Sequence, residues 1–409
     1  MKRLVFCTLV IFGLIFLGCN NSTEDTSSGN GPYTVSFATY TSGTIPSQTV
    51  DHGGKVSSVS PPTGGPANAQ FAGWYKNGGI HTWDFATDEV TENMTLCAGW
   101  KFTAIADLTT FLGNATAAEA PSAARHTIQG VDPNAGKLPI PVVVQIQLTR
   151  ANWAALVNGI EAKNKKVSLD LSPCTKGTGT LVDGNTAAQQ EGGLWADGTF
   201  NPLDAAAGYL PNPGTSRVNN TIAGLVLPTA ATKLYQATTN LNLCKEIRGN
   251  EVTAITTNSS FHGGLMAKVY FPKLTDIGDA LTEAQNLEVA YLPVVTTIEE
   301  EAFMWTWKGG APGVYDVYIP KATSIGNKAF AQCGPGDLTI TLGATPPTLG
   351  TRIFEGVTGT KRVTVRVPRA STSAYTEAWV EGLKGKGWTS SGAGSGAIMR
   401  NINVSIEGY

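Results

Sequence analysis

Two stretches, Val289-Ala290-Tyr291-Leu292-Pro293 and Val317-Tyr318-Ile319-Pro320, are the clearest guides to the architecture. Each is a short apolar strand closed by Pro. The first is followed by Ile298 and Ala302-Phe303, the second by Ile325 and Ala329-Phe330. Working outward, the strand recurs at Leu225-Val226-Leu227-Pro228, Val269-Tyr270-Phe271-Pro272, Leu338 to Gly343 and Val363 to Pro368. The second half recurs as Leu349 with Ile353-Phe354 and, in weaker form, as Ile255 with Ser260-Phe261. The Pro-to-Pro steps after Pro272 are 21 and 27 residues, and the step from Pro228 to Pro272 is 44, which is two repeats of 22.

One strand and one turn cannot bury a core. Stacked units can, because each apolar rung packs on the next and the strands align into a parallel sheet. Pro at the strand end stops pairing and turns the chain. The Phe is expected on the opposite side of the coil, filling its width. A period of 20 to 29 residues with one strand per unit is the mark of a leucine-rich-repeat solenoid. The I-x-x-x-A-F pattern behind a Pro, over about residues 225–380, resembles the BspA-type (treponemal) leucine-rich repeat. The solenoid is assigned to 225–383, with Tyr375, Trp379 and Leu383 as candidates to cap its last coil.

Upstream, residues 102–174 read as an α/β entry segment. Ile105 to Leu112 and Asn152 to Lys163 carry apolar residues at helical spacing, Val142 to Leu148 reads as a strand, and Val167 to Ser172 alternates as a strand does. The run Leu169-Asp170-Leu171-Ser172-Pro173-Cys174 behind a helix resembles the start of treponemal leucine-rich-repeat lipoproteins. Residues 175–224 are rich in Gly, Ala, Asn and Pro and read as an insertion in the first coils. Residues 384–409 read as a Gly/Ser segment followed by a final strand.

Residues 33–101 form a separate pattern of aromatic strands and Gly/Pro turns. Val35-x-Phe37, Gly53-Gly54-Lys55-Val56, Pro61-Pro62, Phe71-x-Gly73-Trp74-Tyr75, Trp83-x-Phe85 and Met94-Thr95-Leu96-x-Ala98-x-Trp100 follow one another. This ordered set resembles the InlB B-repeat family, also called the Listeria–Bacteroides repeat. Thr39-Tyr40-Thr41-Ser42 stands where that family often has Asn-Gly-Gly. The resemblance implies a small β-grasp-like module that spaces or presents other domains on bacterial surfaces. Its three Trp are expected to form a core of rings. The fold class expected for the whole chain is thus modular and β-rich α+β: a β-grasp-like module, an α/β cap and a parallel-sheet solenoid.

Lys2-Arg3 and the apolar run Leu4 to Leu17 have the form of a secretion signal (residues 1–18), too short to span a membrane as a helix. The run ends in Phe16-Leu17-Gly18-Cys19, which resembles a bacterial lipobox and marks Cys19 as the lipidation site. Residues 19–32 then read as a flexible tether.

Lys plus Arg total 29 and Asp plus Glu 31, a net charge of −2, which argues against a nucleic-acid partner. Charged residues are 15% of the chain, below the usual ~25%. The four His (52, 81, 126 and 262) lie far apart in turn-like sequence and are expected to be exposed. Cys97, Cys174, Cys244 and Cys333 form no C-x-x-C pair and read mainly as buried apolar fillers, with disulfides the alternative in an exported protein. No hydrolase, zinc-peptidase or phosphate-loop motif occurs, so neither an enzyme nor a cofactor is expected. Glu299-Glu300-Glu301 reads as a solvated turn. Trp305 and Trp307, beside Gly309-Gly310, are the candidate ligand contacts, with core packing of one or both rings the favoured alternative.

The expected function is non-covalent adhesion by an exported protein, lipid-anchored and displayed on the outer membrane. Its partners would be host matrix or cell-surface proteins, or neighbouring bacteria. A structural envelope scaffold without an external ligand and a glycan-binding module are the alternatives.

Overall fold

In the computed structural model, residues 31–120, 136–177, 199–200, 221–234, 244–255, 261, 265–306, 315–333, 337–357, 361–384 and 402–409 are described. The short apolar strands lie side by side. Ile222–Val226, Glu246–Arg248, Lys268–Tyr270, Val289–Tyr291, Tyr315–Tyr318, Leu338–Thr341, Lys361–Val367 and Ile402–Gly408 pair successively in parallel. The 44-residue step between Pro228 and Pro272 does hold two units, because Ile247 sits midway, in register with Leu225 and Val269. That strand is easily overlooked, since Glu246 and Arg248 flank a single apolar residue and no Pro closes it.

Leu225, Ile247, Val269, Ala290, Val317, Ile340 and Val365 form one inward row, all buried. Behind them the Phe residues stack. Phe303 and Phe330 are 4.9 Å apart with planes 7° off parallel, and Phe330 to Phe354 is 5.6 Å. The Ile and Leu that follow each Pro build a second, narrow wall. Thr297–Ile298, Ser324–Ile325 and Thr348–Leu349 pair in parallel there. Threonine hydroxyls tie these turns together from one unit to the next: Thr275 donates to the Thr253 carbonyl (3.2 Å), Thr323 to Thr296 (3.0 Å) and Thr348 to Thr323 (3.2 Å).

Upstream, Val167–Asp170 and Ile140–Val144 continue the sheet. Residues 142–148 are broken by a bend into Ile140–Val144 and Gln147–Leu148. Helices Ile105–Asn114 and Arg150–Glu161 cover this end through Leu108, Phe111, Leu112, Trp153, Leu156 and Ile160. Thr149 caps the second helix by accepting from the Asn152 N–H. At the other end, helix Glu377–Leu383 is capped by Thr376. Tyr375 donates to the Gly343 carbonyl (2.8 Å) and the Trp379 indole to Pro347 (2.8 Å), so the expected capping residues do close over the array.

The strand Met94–Phe102 joins the aromatic module to this array. Its first half pairs in parallel with Tyr33–Ala38, and its last three residues pair in parallel with Ile140–Val144. Ala69–Lys76 runs antiparallel to it. The result is one long, open, mostly parallel sheet of 14 strands, from Gln48–Val50 at one end to Ile402–Gly408 at the other.

Candidate functional site

The outward face of the array follows from simple alternation. In a strand, neighbouring side chains point to opposite faces. Val269 and Phe271 are buried, so Tyr270 between them points out; Tyr291 lies between buried Ala290 and Leu292, and Tyr318 between Val317 and Ile319. The register then places Tyr270, Tyr291 and Tyr318 in one row across three adjacent strands, with Arg248 before them and Thr341 and Arg366 after.

The rings form a ladder. Tyr270 and Tyr291 centroids are 6.4 Å apart; Tyr291 and Tyr318 are 4.9 Å apart and within 9° of parallel. Tyr291 is 38% exposed, one of few large apolar side chains so open to solvent among the described residues. The Arg248 guanidinium lies 5.8 Å from the Tyr270 ring centre, a cation–π distance. In the neighbouring outward row stand Glu246, Lys268, Val289 and Asp316. Glu246 and Lys268 pair at 3.1 Å. Asp316 is half-buried, its Oδ1 is sealed from solvent with no hydrogen-bond partner, and burial pushes its carboxyl above the ordinary range while Arg366 opposes the shift.

At the Tyr270 end, the aromatic module reaches onto this same face. The Ser168 hydroxyl donates to the Gly78 carbonyl (2.5 Å), the Ile80 N–H points to Glu246 Oε2 (3.4 Å), and the His81 ring meets Tyr270 edge-on at 4.4 Å. Small residues allow the approach. A side chain on Gly224 would collide with Ile80, and one on Gly78, which also has φ +66°, would overlap the Pro139 carbonyl. Tyr40, at φ +58° in the turn where the resembling family has Asn-Gly-Gly, sends its hydroxyl to the same carbonyl (3.4 Å).

Residues 33–99 match the Listeria–Bacteroides repeat domain. No curated protein and no solved structure matched the chain. Within the repeat domain the aromatic residues are core: Trp74, Trp83 and Trp100 are buried, and Phe71 packs edge-on against Trp74 and Trp100. They offer no exposed stacking platform. What the repeat domain does offer is the Gly78–His81 turn.

The sequence-expected contacts fall elsewhere. Trp305 is half-buried at φ +54°, on the far side of the coil from the tyrosines, with its indole N–H bonded to the Gln332 side chain. Trp307 and Cys19 lie outside the described residues, as do His126 and His262. His81 is not an exposed loop histidine: it is half-buried, its Nε2 is sealed without a partner, and burial, with Arg248 and Lys268 nearby, lowers its pKa. Glu301 pairs with Lys328 at 2.8 Å, while Glu299 and Glu300 are exposed.

Cys97, Cys174, Cys244 and Cys333 are buried and form no disulfide. Burial raises Cys97 and Cys244 to about 12 and Cys174 to about 11. Among the described residues no three His, Cys, Asp or Glu converge as a metal site would require, and no helix is long and apolar enough to cross a membrane.

The tyrosine row had a signal in the sequence. The triplets Tyr270-Phe271-Pro272, Tyr291-Leu292-Pro293 and Tyr318-Ile319-Pro320 repeat Tyr at the same place before Pro. A residue next to a buried rung must face outward, so recurrence of a large ring at that place marks a built surface rather than a core.

Proposed function

We propose that this chain is a non-catalytic surface adhesin: a BspA-like leucine-rich-repeat solenoid, fronted by a β-grasp-like repeat domain and held to the bacterial envelope by lipid on Cys19. The observation that carries the reading is the outward row Tyr270, Tyr291 and Tyr318 set between Arg248 and Arg366. Tyr and Arg are the residues that most often dominate protein contacts, because a rigid ring or planar guanidinium buries much area at small entropic cost. The I-x-x-x-A-F repeats and the lipobox-like Leu17-Gly18-Cys19 support the family and the anchor.

The partners proposed are host matrix or cell-surface proteins, or neighbouring bacteria. The test is binding of the chain from residue 20 onward to immobilised matrix proteins and to co-resident bacterial cells. Saturable binding is the expected result; no binding across the panel overturns the reading. Radiolabelled fatty acid should enter the wild-type protein in cells and be absent from Cys19→Ala.

A further inference from the structure

The Gly78–His81 turn has its feet in one part of the molecule and its tip on another. The Asn77 N–H bonds to the Thr95 carbonyl (2.7 Å) and the Trp83 N–H to the Trp74 carbonyl (2.6 Å), so both feet belong to the repeat domain. The tip rests on the array. The Gly78 carbonyl accepts from Ser168, Ile80 is buried beside Gly224, and the His81 ring lies 4.4 Å from Tyr270. Such a turn can lift while both bodies stay folded, because the strand Met94–Phe102 still joins them.

His81 is the titratable group in this contact. Its Nε2 is sealed from solvent and has no hydrogen-bond partner. In a neutral imidazole one ring nitrogen is a bare acceptor; in the imidazolium both nitrogens are donors. A second ring proton therefore puts a charge and an unmet N–H in the same sealed place, a costly combination.

Charges face the ring from both bodies. On the array, Arg248 and Lys268 oppose the imidazolium and Glu246 favours it; on the repeat domain, Asp88 favours it. Both carboxylates already have partners. Glu246 pairs with Lys268 (3.1 Å) and receives the Ile80 N–H (3.4 Å), and Asp88 accepts from the Asp84 N–H (2.8 Å). Tyr270 stays neutral here, since burial raises its pKa. Burial, with the two cations, prevails and lowers the His81 pKa.

We propose that the Gly78–His81 turn is an acid-released latch: it rests on the outward face of the array at neutral pH and lifts when His81 takes a second ring proton. The lifted turn binds protons more readily than the docked one. Docking is thus at full strength above the ordinary histidine value of about 6.5 and weakens as pH falls through it toward the lowered docked value. Release uncovers Ile80 and Tyr270, the first ring of the tyrosine row. The latch works within one chain and needs no external ligand.

The experiment uses the chain from residue 20 onward as wild type, His81→Phe and His81→Arg. A melt at neutral pH first confirms that each variant folds. Phe keeps a flat ring against Tyr270 and cannot titrate; Arg carries its charge throughout. NMR of histidine-labelled protein follows the ring titration, with His81 assigned by its absence from either variant. Hydrogen exchange, corrected for its intrinsic pH dependence, follows the backbone of 77–82.

In the expected result His81 titrates below the ordinary value. Protection of 77–82 in wild type falls about threefold or more between pH 7.5 and 5.5. It holds in His81→Phe and is already low at pH 7.5 in His81→Arg, while Met94–Phe102 stays protected in all three. His81 titrating at or above about 6.5, wild-type protection that ignores pH, or His81→Arg protected like wild type at pH 7.5 overturns the proposal. So does an acid loss that persists in His81→Phe, which would assign it to Glu246 or Asp88, or one that spreads to Met94–Phe102, which would be general unfolding. Should one variant fail to fold, the wild-type titration and the other variant still decide.

Discussion

The Tyr291 and Tyr318 rings stack 4.9 Å apart and within 9° of parallel, on adjacent strands and on the outward face. Strand spacing is about 4.8 Å, so rings at the same register must meet if they share a rotamer. Such a pair adds roughly 0.2–1 kcal/mol to sheet pairing. Tyr291→Ala is therefore expected to shift the melting temperature only slightly. On the proposed adhesin function, it is expected to weaken binding much more, measured by surface plasmon resonance against a matrix protein that binds wild type.

Phe330 lies between Phe303 and Phe354 and is fully buried. Phe330→Ala removes both ring contacts and leaves a cavity in the middle of the stack. A loss of about 3–5 kcal/mol is expected, read as a large drop in melting temperature. Because the units lean only on their neighbours, the loss is expected to broaden or split the transition.

Asp316 gives a pH signature. Its folded pKa is raised by burial, so the folded state holds its proton at pH values where the unfolded chain has lost it. Stability from this group is present at pH below the ordinary carboxylate value and is lost as pH rises through the raised one. Asp316→Asn is expected to raise the melting temperature at neutral pH and to lose that advantage in acid. Melts of both proteins across pH 3–8 check it; an equal difference at all pH values would contradict the assignment.

Gly78 sits at φ +66°, and a Cβ added there would overlap the Pro139 carbonyl. Gly78→Ala adds both backbone strain, of order 1–3 kcal/mol, and a clash at the interface between repeat domain and array. Faster protease cutting near residues 77–82 is expected, with the aromatic core of the repeat domain kept. Hydrogen exchange should show early loss of protection around Ile80 and Ser168.

The four buried cysteines form no disulfide, and burial raises Cys97 and Cys244 to about 12 and Cys174 to about 11, above ordinary cysteine. Reductant is expected to leave the melting temperature unchanged. A thiol reagent is expected to label these positions only on unfolding, because the reactive thiolate is both scarce and inaccessible.

Much of the fold was legible because its signals are local. Pro after each strand, Ile five residues on and the Ala-Phe pair fix the rungs at Ile298, Phe303, Ile325 and Phe330 without reference to distant residues. The strand Glu246–Arg248 was implied only by spacing, since its single buried residue carries no pattern of its own. The candidate contact site was less legible. Trp305 drew attention as a large ring in a Gly-rich stretch, yet its indole is tied to Gln332. The tyrosines carry only a repeated place two residues before Pro, and each looks like an ordinary strand residue until the strands are aligned.

By itself, then, the sequence determined the repeating unit, the aromatic repeat domain and the inward rows, since alternation and turn residues act within a few positions of one another. Only the tertiary structure decided that the strand Met94–Phe102 fuses the repeat domain to the array, that Gly78–His81 lies on the sheet, and that three tyrosines 21 and 27 residues apart form one ladder. The physical reason is register. Which side chains become neighbours across strands depends on how many residues each turn takes up, and that count is settled by packing between units rather than by any one of them.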